Sequence, residues 1–135
     1  MKMMQEVQVF ARTIYGEARG EYKKYGRKAL EAVGLVIANR SKQRKQTITK
    51  VCLQPYQFSC WNVDDPNRKI ILNVTTSDSL FIMCLDVANK IMQGQCHDFL
   101  EGANHYYSDT MNEQPWWAKG KTPVAHIGHH IFFKL

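Results

Sequence analysis

A carboxyl group set among apolar and aromatic neighbours is the simplest device that can hold a proton near neutral pH, and this chain offers one in Glu17. It lies within Ile14-Tyr15-Gly16-Glu17-Ala18-Arg19-Gly20-Glu21. Partial desolvation there raises its pKa toward the range a general acid needs. The same pattern also suits a surface ion pair with Arg19 or Arg12, and the local residues leave both readings open. Glu21, four residues on, shares a face with Glu17 on a continued helix, although Gly20 argues against continuation. A two-carboxylate mechanism needs a second acid about 5–10 Å away. Asp64, Asp65 and Asp109 are the candidates, with Asp64 and Asp65 reading better as turn formers.

His105, His126, His129 and His130 invite a zinc reading. On one extended strand, however, His126 and His130 share a face while His129 points away, so the cluster does not converge and no metal or other cofactor is expected. Cys52, Cys60, Cys84 and Cys96 show no CxxC spacing and read as reduced, packed thiols, with Cys52 and Cys60 near enough in sequence to be bridged in an oxidising space.

The elements that position these groups follow from periodicity. Val7, Phe10, Ala11, Ile14 and Ala18 predict a first helix ending near Glu17. Ala29, Val33, Val36 and Ile37, widened by Leu30, Leu35 and Ala38, predict a buried helix from about Gly26 to Arg40. Ser41 to Gln46 reads as an exposed basic loop, with Thr47 or Thr49 capping a short turn. Gln54 to Trp61 mixes Pro, aromatics and amides without periodicity, as a cleft-lining loop does. Asp64 to Asn67 is a turn cluster, and Ser77-Asp78-Ser79 caps a helix that Gly94 ends. Asn104 to Tyr107 and Ala125 to Phe133 read as extended segments that pair as a small antiparallel ribbon. The outline is α+β, mostly α, in a single domain over 1–135, because 135 residues divided would leave cores too small to be stable.

Eighteen Lys and Arg against twelve Asp and Glu give a net charge of +6, which favours a polyanionic partner or simply a solubilising surface. RSKQRK and GRK are too short to argue for nucleic acid. Glu6, Arg12 and Glu17 interrupt the N-terminal stretch, so no export signal is expected, and no apolar run is long enough for membrane insertion.

ARTIYGEARGE, Ala38-Asn39-Arg40, QPYQFSCW, His105-Tyr106-Tyr107, Pro115-Trp116-Trp117 and Ile127 to Phe132 together resemble the spore cortex-lytic family of cell-wall hydrolases, in order along nearly the whole chain. The resemblance implies a lysozyme-like fold. It also implies cleavage of the bond between N-acetylmuramic acid and N-acetylglucosamine, in the manner of a lytic transglycosylase. One glutamate, here Glu17, serves as acid and then base while the muramic 6-hydroxyl closes an anhydro ring, and Glu21 is a supporting residue. Sugars present apolar faces and polar edges, so aromatics beside amides make subsites. Tyr15, Gln57, Phe58, Ser59 and Trp61 offer that mixture, as do His105, Tyr106, Trp116, Trp117 and His129. Phe58 and one of the paired tryptophans also suit the core, whereas Gln57, Ser59 and Tyr107 are expected at the cleft. The partner is then the peptidoglycan glycan strand, met by a monomer that waits in the host cytoplasm until a membrane pore releases it, as a phage endolysin does. Hydrolysis of the same bond, a zinc-dependent amidase or peptidase on the peptide stem, and an inactive binding module are the alternatives.

Overall fold

The computed structural model describes residues 4–135; Met1 to Met3, which open the stretch read above for export signals, lie outside the described residues. Helix α1 spans Glu6–Tyr25, α2 Arg27–Arg44, α3 Ile48–Leu53, α4 Pro66–Asn73 and α5 Ser79–Met92. Strands β1 (His105–Ser108), β2 (Ala125–Ile127) and β3 (His130–Phe133) form one antiparallel sheet in the order β1-β3-β2. The architecture is the expected mostly helical α+β.

Helix α1 does not stop at Glu17; it runs two turns further, and Gly26 at φ 70° ends it. Gly16 is there for proximity, since a Cβ at this position would stand 2.8 Å from the Cys60 Cβ and 3.0 Å from Ile71. Gly20 meets nothing within 4 Å and its helical cost of about 1 kcal/mol is simply absorbed. Helix α2 likewise continues through the basic segment expected to be a loop, because its last turn is exposed and Lys42 and Arg44 complement the negative end of the helix dipole. Thr47 caps α3 by accepting from the Lys50 amide at 3.1 Å. The Asp64 to Asn67 cluster proves to be the start of α4, with the Asp65 side chain as cap and Pro66 in the first turn. Asp78 caps α5, accepting from Leu80 and Phe81.

The core forms where α1 meets α2 and α5, with Phe10, Ile14, Leu30, Ile37 and Phe81 almost without exposure. Arg12 closes one edge by donating to the Ile71 and Val74 carbonyls at the end of α4, at 2.6 and 3.0 Å. A second cluster joins the sheet to α2: Phe132, Tyr106, Ala125 and Ile127 pack on Ala32, Leu35 and Val36. Tyr106 pairs with Phe132 and Ser108 with His130. This register puts Tyr106, His130 and Phe132 on the helix-facing side and His105, Tyr107 and Phe133 on the other.

The segment from Ala125 to Phe133 is a hairpin and not one strand. Ile127 pairs with His130 across a two-residue turn whose first corner, Gly128, lies at φ 60°. The alternation assumed for the histidines therefore fails: the turn brings His126 and His129 to the same carboxylate, Asp109, each at 3.0 Å.

Candidate active site

Glu17 projects from the middle of α1 toward the sheet, and Tyr106 meets it there, its hydroxyl donating to Glu17 Oε1 at 2.6 Å. The Cys60 thiol stands beside the carboxyl, held close by the missing side chain of Gly16. Neither arginine considered as an ion-pair partner is available. Arg12 is committed to carbonyls of α4, and Arg19 donates to Asn67 Oδ1 while lying over the Tyr15 ring. Burial is the largest influence on Glu17 and raises its pKa. Hydrogen bonds from Tyr106 and Cys60 act the other way without reversing the shift, and the Asp65 charge adds to it. Burial, then the Glu17 charge, holds the Tyr106 phenol well above its ordinary value, so it stays a neutral donor.

Arg40 underlies this pair. It is 7% exposed, lies over the Phe58 ring, donates from Nε to the Asn104 carbonyl at 2.6 Å, and reaches the Gln57 amide oxygen at 3.2 Å. Asn104 in turn is tied to Gln43 and to both backbone groups of the chain's last residue, Leu135. The guanidinium thus fixes Asn104, the residue that leads into β1 and lies two before Tyr106, and its charge favours the ionised form of Glu17. Sequence reading gave Arg40 no chemical role. The available signal was position: it continues the apolar stripe of α2 after Val33, Val36 and Ile37, where a cation needs a buried partner.

The other expected residues are dispersed around this pair. Glu21, one turn beyond Glu17, accepts from the His129 amide at 2.9 Å and anchors the hairpin tip. Gln57 and Ser59 are exposed on the loop after α3, while Trp61 is half-buried with its indole donating to Thr13 Oγ1 at 2.8 Å. Phe58 is in the core at 3% exposure. Tyr15 is also buried, donating to Asp78 and edging Phe81, so it faces α5. Tyr107 stacks on Phe133 and edges Trp117 on the far side of the sheet from Glu17; the tyrosine that touches the glutamate is Tyr106. His105 packs on Trp117, and burial with Arg40 and Arg44 nearby pushes its pKa down to about 4. Trp116 is 83% exposed. Cys52, Cys60, Cys84 and Cys96 are free thiols, the first three buried. Among the described residues no three His, Cys, Asp or Glu side chains are grouped so as to hold a metal ion.

The model of the cell wall hydrolase family matches residues 25–133. That span begins after Glu17, so the case for this glutamate rests on its surroundings. Two solved structures are similar in fold. The catalytic domain of the Bacillus cereus SleB protein is 24% identical at a TM-score of 0.69, with 96% of this chain and 89% of that one covered. The catalytic domain of the germination-specific lytic transglycosylase SleB from Bacillus anthracis is 23% identical at a TM-score of 0.69, with 98% and 97% covered. The fold is thus the lysozyme-like one expected. No curated protein matches the chain.

Proposed function

This chain belongs to the cell wall hydrolase family, and we propose that it cuts the glycosidic bond between N-acetylmuramic acid and N-acetylglucosamine in peptidoglycan, with Glu17 as its single acid and base. The observation that carries the reading is a carboxyl with raised pKa whose neighbours are a phenol and a thiol, with no cation bonded to it. Burial favours the protonated form of such a group, the form a general acid needs when substrate arrives. It gives its proton to the bridging oxygen as the bond from that oxygen to the muramic C1 breaks, leaving an oxocarbenium-like centre. As charge develops on the carboxylate, the hydrogen bond from Tyr106 strengthens, and the Arg40 charge stabilises the ionised state.

The carboxylate then takes the proton of the muramic 6-hydroxyl, whose oxygen bonds to C1 and closes a 1,6-anhydro ring. What supports ring closure over attack by water is that two of the three acids considered as a second carboxylate are engaged. Asp65 uses an oxygen to cap α4, and Asp109 is held by His126 and His129. Mass spectrometry of muropeptides released from purified walls tests this. Anhydro-muramic ends that vanish with Glu17→Gln are expected. Reducing muramic ends would assign hydrolysis, and cleaved stem peptides would overturn the glycosidic reading.

We further propose a phage endolysin that acts as a monomer, stored in the host cytoplasm and released to the wall by a pore. No described helix is long and apolar enough to cross a membrane, which fits an enzyme needing such release. Co-expression with and without a pore-forming protein checks delivery: lysis only with the pore is expected, and lysis without it would contradict the proposal.

A further inference from the structure

Residues 32–63 contain no Asp or Glu but carry Arg40, Lys42, Arg44, Lys45 and Lys50. Arg40 is buried and committed to Asn104 and Gln57, whereas the other four are exposed and none of them is in an ion pair among the described residues. Glu6, the acid that the fold brings to this segment, uses Oε2 to accept from the Thr49 amide at 3.3 Å. Where α2 turns into α3 the surface holds a groove of about 440 Å3, lined by Gln46, Thr49, Lys50 and Leu53, with Gln54 and Pro55 at its far end. Leu53 gives it an apolar face, 46% exposed, and Arg44 brings a second cation to the rim by donating from Nη1 to Gln54 Oε1 at 3.2 Å. Gln46 is pinned at its backbone: its amide donates to the Ser41 carbonyl at 3.1 Å, and its carbonyl accepts from the Ser41 hydroxyl at 2.6 Å. Its side-chain oxygen, by contrast, is buried without a donor. An acceptor left so is costly and the terminal amide torsion is soft, so an N–H arriving in the groove would relieve it.

The lining suits an anionic peptide with small apolar side chains. Its amides meet Gln46 and Thr49, its carboxylates Lys50 and Arg44, and its methyl groups Leu53. A neutral sugar has no use for the two cations, and a phosphate polymer has none for Leu53 or the unpaired Gln46 oxygen. Peptidoglycan stem peptides have the matching chemistry, and each begins at a muramic ring, the ring whose bond is cut at Glu17. From Pro55 to Cys60, beside Glu17, five residues span at most about 18 Å, and a stem of four residues with its lactyl link extends about 13–18 Å. A stem leaving the cleft can therefore reach the groove. We propose that this groove binds the anionic stem peptide of a muramic residue held near Glu17, so that the enzyme selects strands that still carry their peptides. The proposal rests on the reading of the chain as a glycan-cleaving enzyme.

Calorimetric titration of Glu17→Gln protein with short glycan strands, either bearing tetrapeptide stems or stripped of them, tests it. The stem-bearing strand is expected to bind roughly 5- to 10-fold tighter, a preference that shrinks as salt rises. Lys50 makes no side-chain hydrogen bond or ion pair among the described residues, so Lys50→Glu should fold, as its Tm would record, and should erase the preference while the stripped strand binds as before. The milder Lys50→Gln should cut the preference about 2-fold. Free stem tetrapeptide should compete with the stem-bearing strand, and its carboxylate-amidated form should not. Equal binding of the two strands, a preference untouched in both Lys50 variants, or equal competition by the amidated peptide would overturn the groove, as would Lys50→Glu weakening both strands alike. The two readings fail separately: wild-type digests that contain only cleaved stem peptides sink the glycosidic activity, whereas glycan cleavage with binding indifferent to the stem sinks the groove alone.

Discussion

Glu17 and Glu21 stand one turn apart on α1, and each receives a hydrogen bond from the sheet, yet the two bonds do different things. Glu17 meets a side-chain hydroxyl in partly buried surroundings, with a thiol beside it and no bonded cation, so its proton is retained above the ordinary carboxylate range. Glu21 meets the backbone amide of His129 near solvent, where it holds the tip of a hairpin. Sequence spacing treats the pair as equivalents. What distinguishes them is which strand of the sheet docks on which turn of the helix, and that depends on the register of β1 with β3.

Replacement at the two positions should therefore diverge most of all. Glu17→Gln is expected to lower wall-clearing activity by at least about 10³-fold, whereas Glu21→Gln, whose amide oxygen still accepts from His129, should stay within about 3-fold. The same variant has a stability signature. A carboxyl whose folded pKa is raised contributes stability that is complete below its unfolded pKa and is lost as pH rises through the folded value. Glu17→Gln protein should thus melt higher than wild type at neutral pH, with the gap closing toward pH 4, as calorimetry across that range would record.

Arg40→Ala comes next, with a loss of about 2–3 kcal/mol in denaturant unfolding as the Asn104 carbonyl and Gln57 lose their donor. Activity should fall beyond what unfolding explains, because β1 is no longer fixed. Tyr106→Phe keeps the packing on His130 and Phe132 but removes the hydroxyl. A drop of about 10-fold in kcat is expected. Because Tyr106 holds the Glu17 pKa down, the alkaline limb of the pH–rate profile should also move to higher pH. The smallest effects separate the two glycines of the same helix. Gly16→Ala should destabilise by forcing Cys60 and Ile71 apart, and Gly20→Ala, with open space around it, should stabilise by about 0.5–1 kcal/mol in thermal unfolding.

Much of the fold was legible because helices α2 and α5 carry wide apolar stripes and α5 a capping aspartate, signals that need no tertiary context. The continuation of α1 past Gly16 was not. A glycine tolerated for the approach of Cys60 looks, in sequence, like one that ends a helix. Asp65-Pro66 was ambiguous for a related reason, since a turn and a helix start use the same residues. At the site, Glu17 was singled out by the family resemblance, since its apolar neighbours alone left a surface ion pair open. Choosing Tyr106 over Tyr107 required the register, because adjacent strand residues face opposite ways. Arg40 was legible only as an anomaly in a stripe.

A titration of Glu17 in wall-free protein, with ¹³C-labelled glutamate followed by NMR, tests the central claim most directly. A Glu17 carboxyl midpoint above the ordinary glutamate range, moving further up in Tyr106→Phe, is the predicted result. A midpoint at or below that range, unmoved by the loss of the Tyr106 hydroxyl, would contradict it.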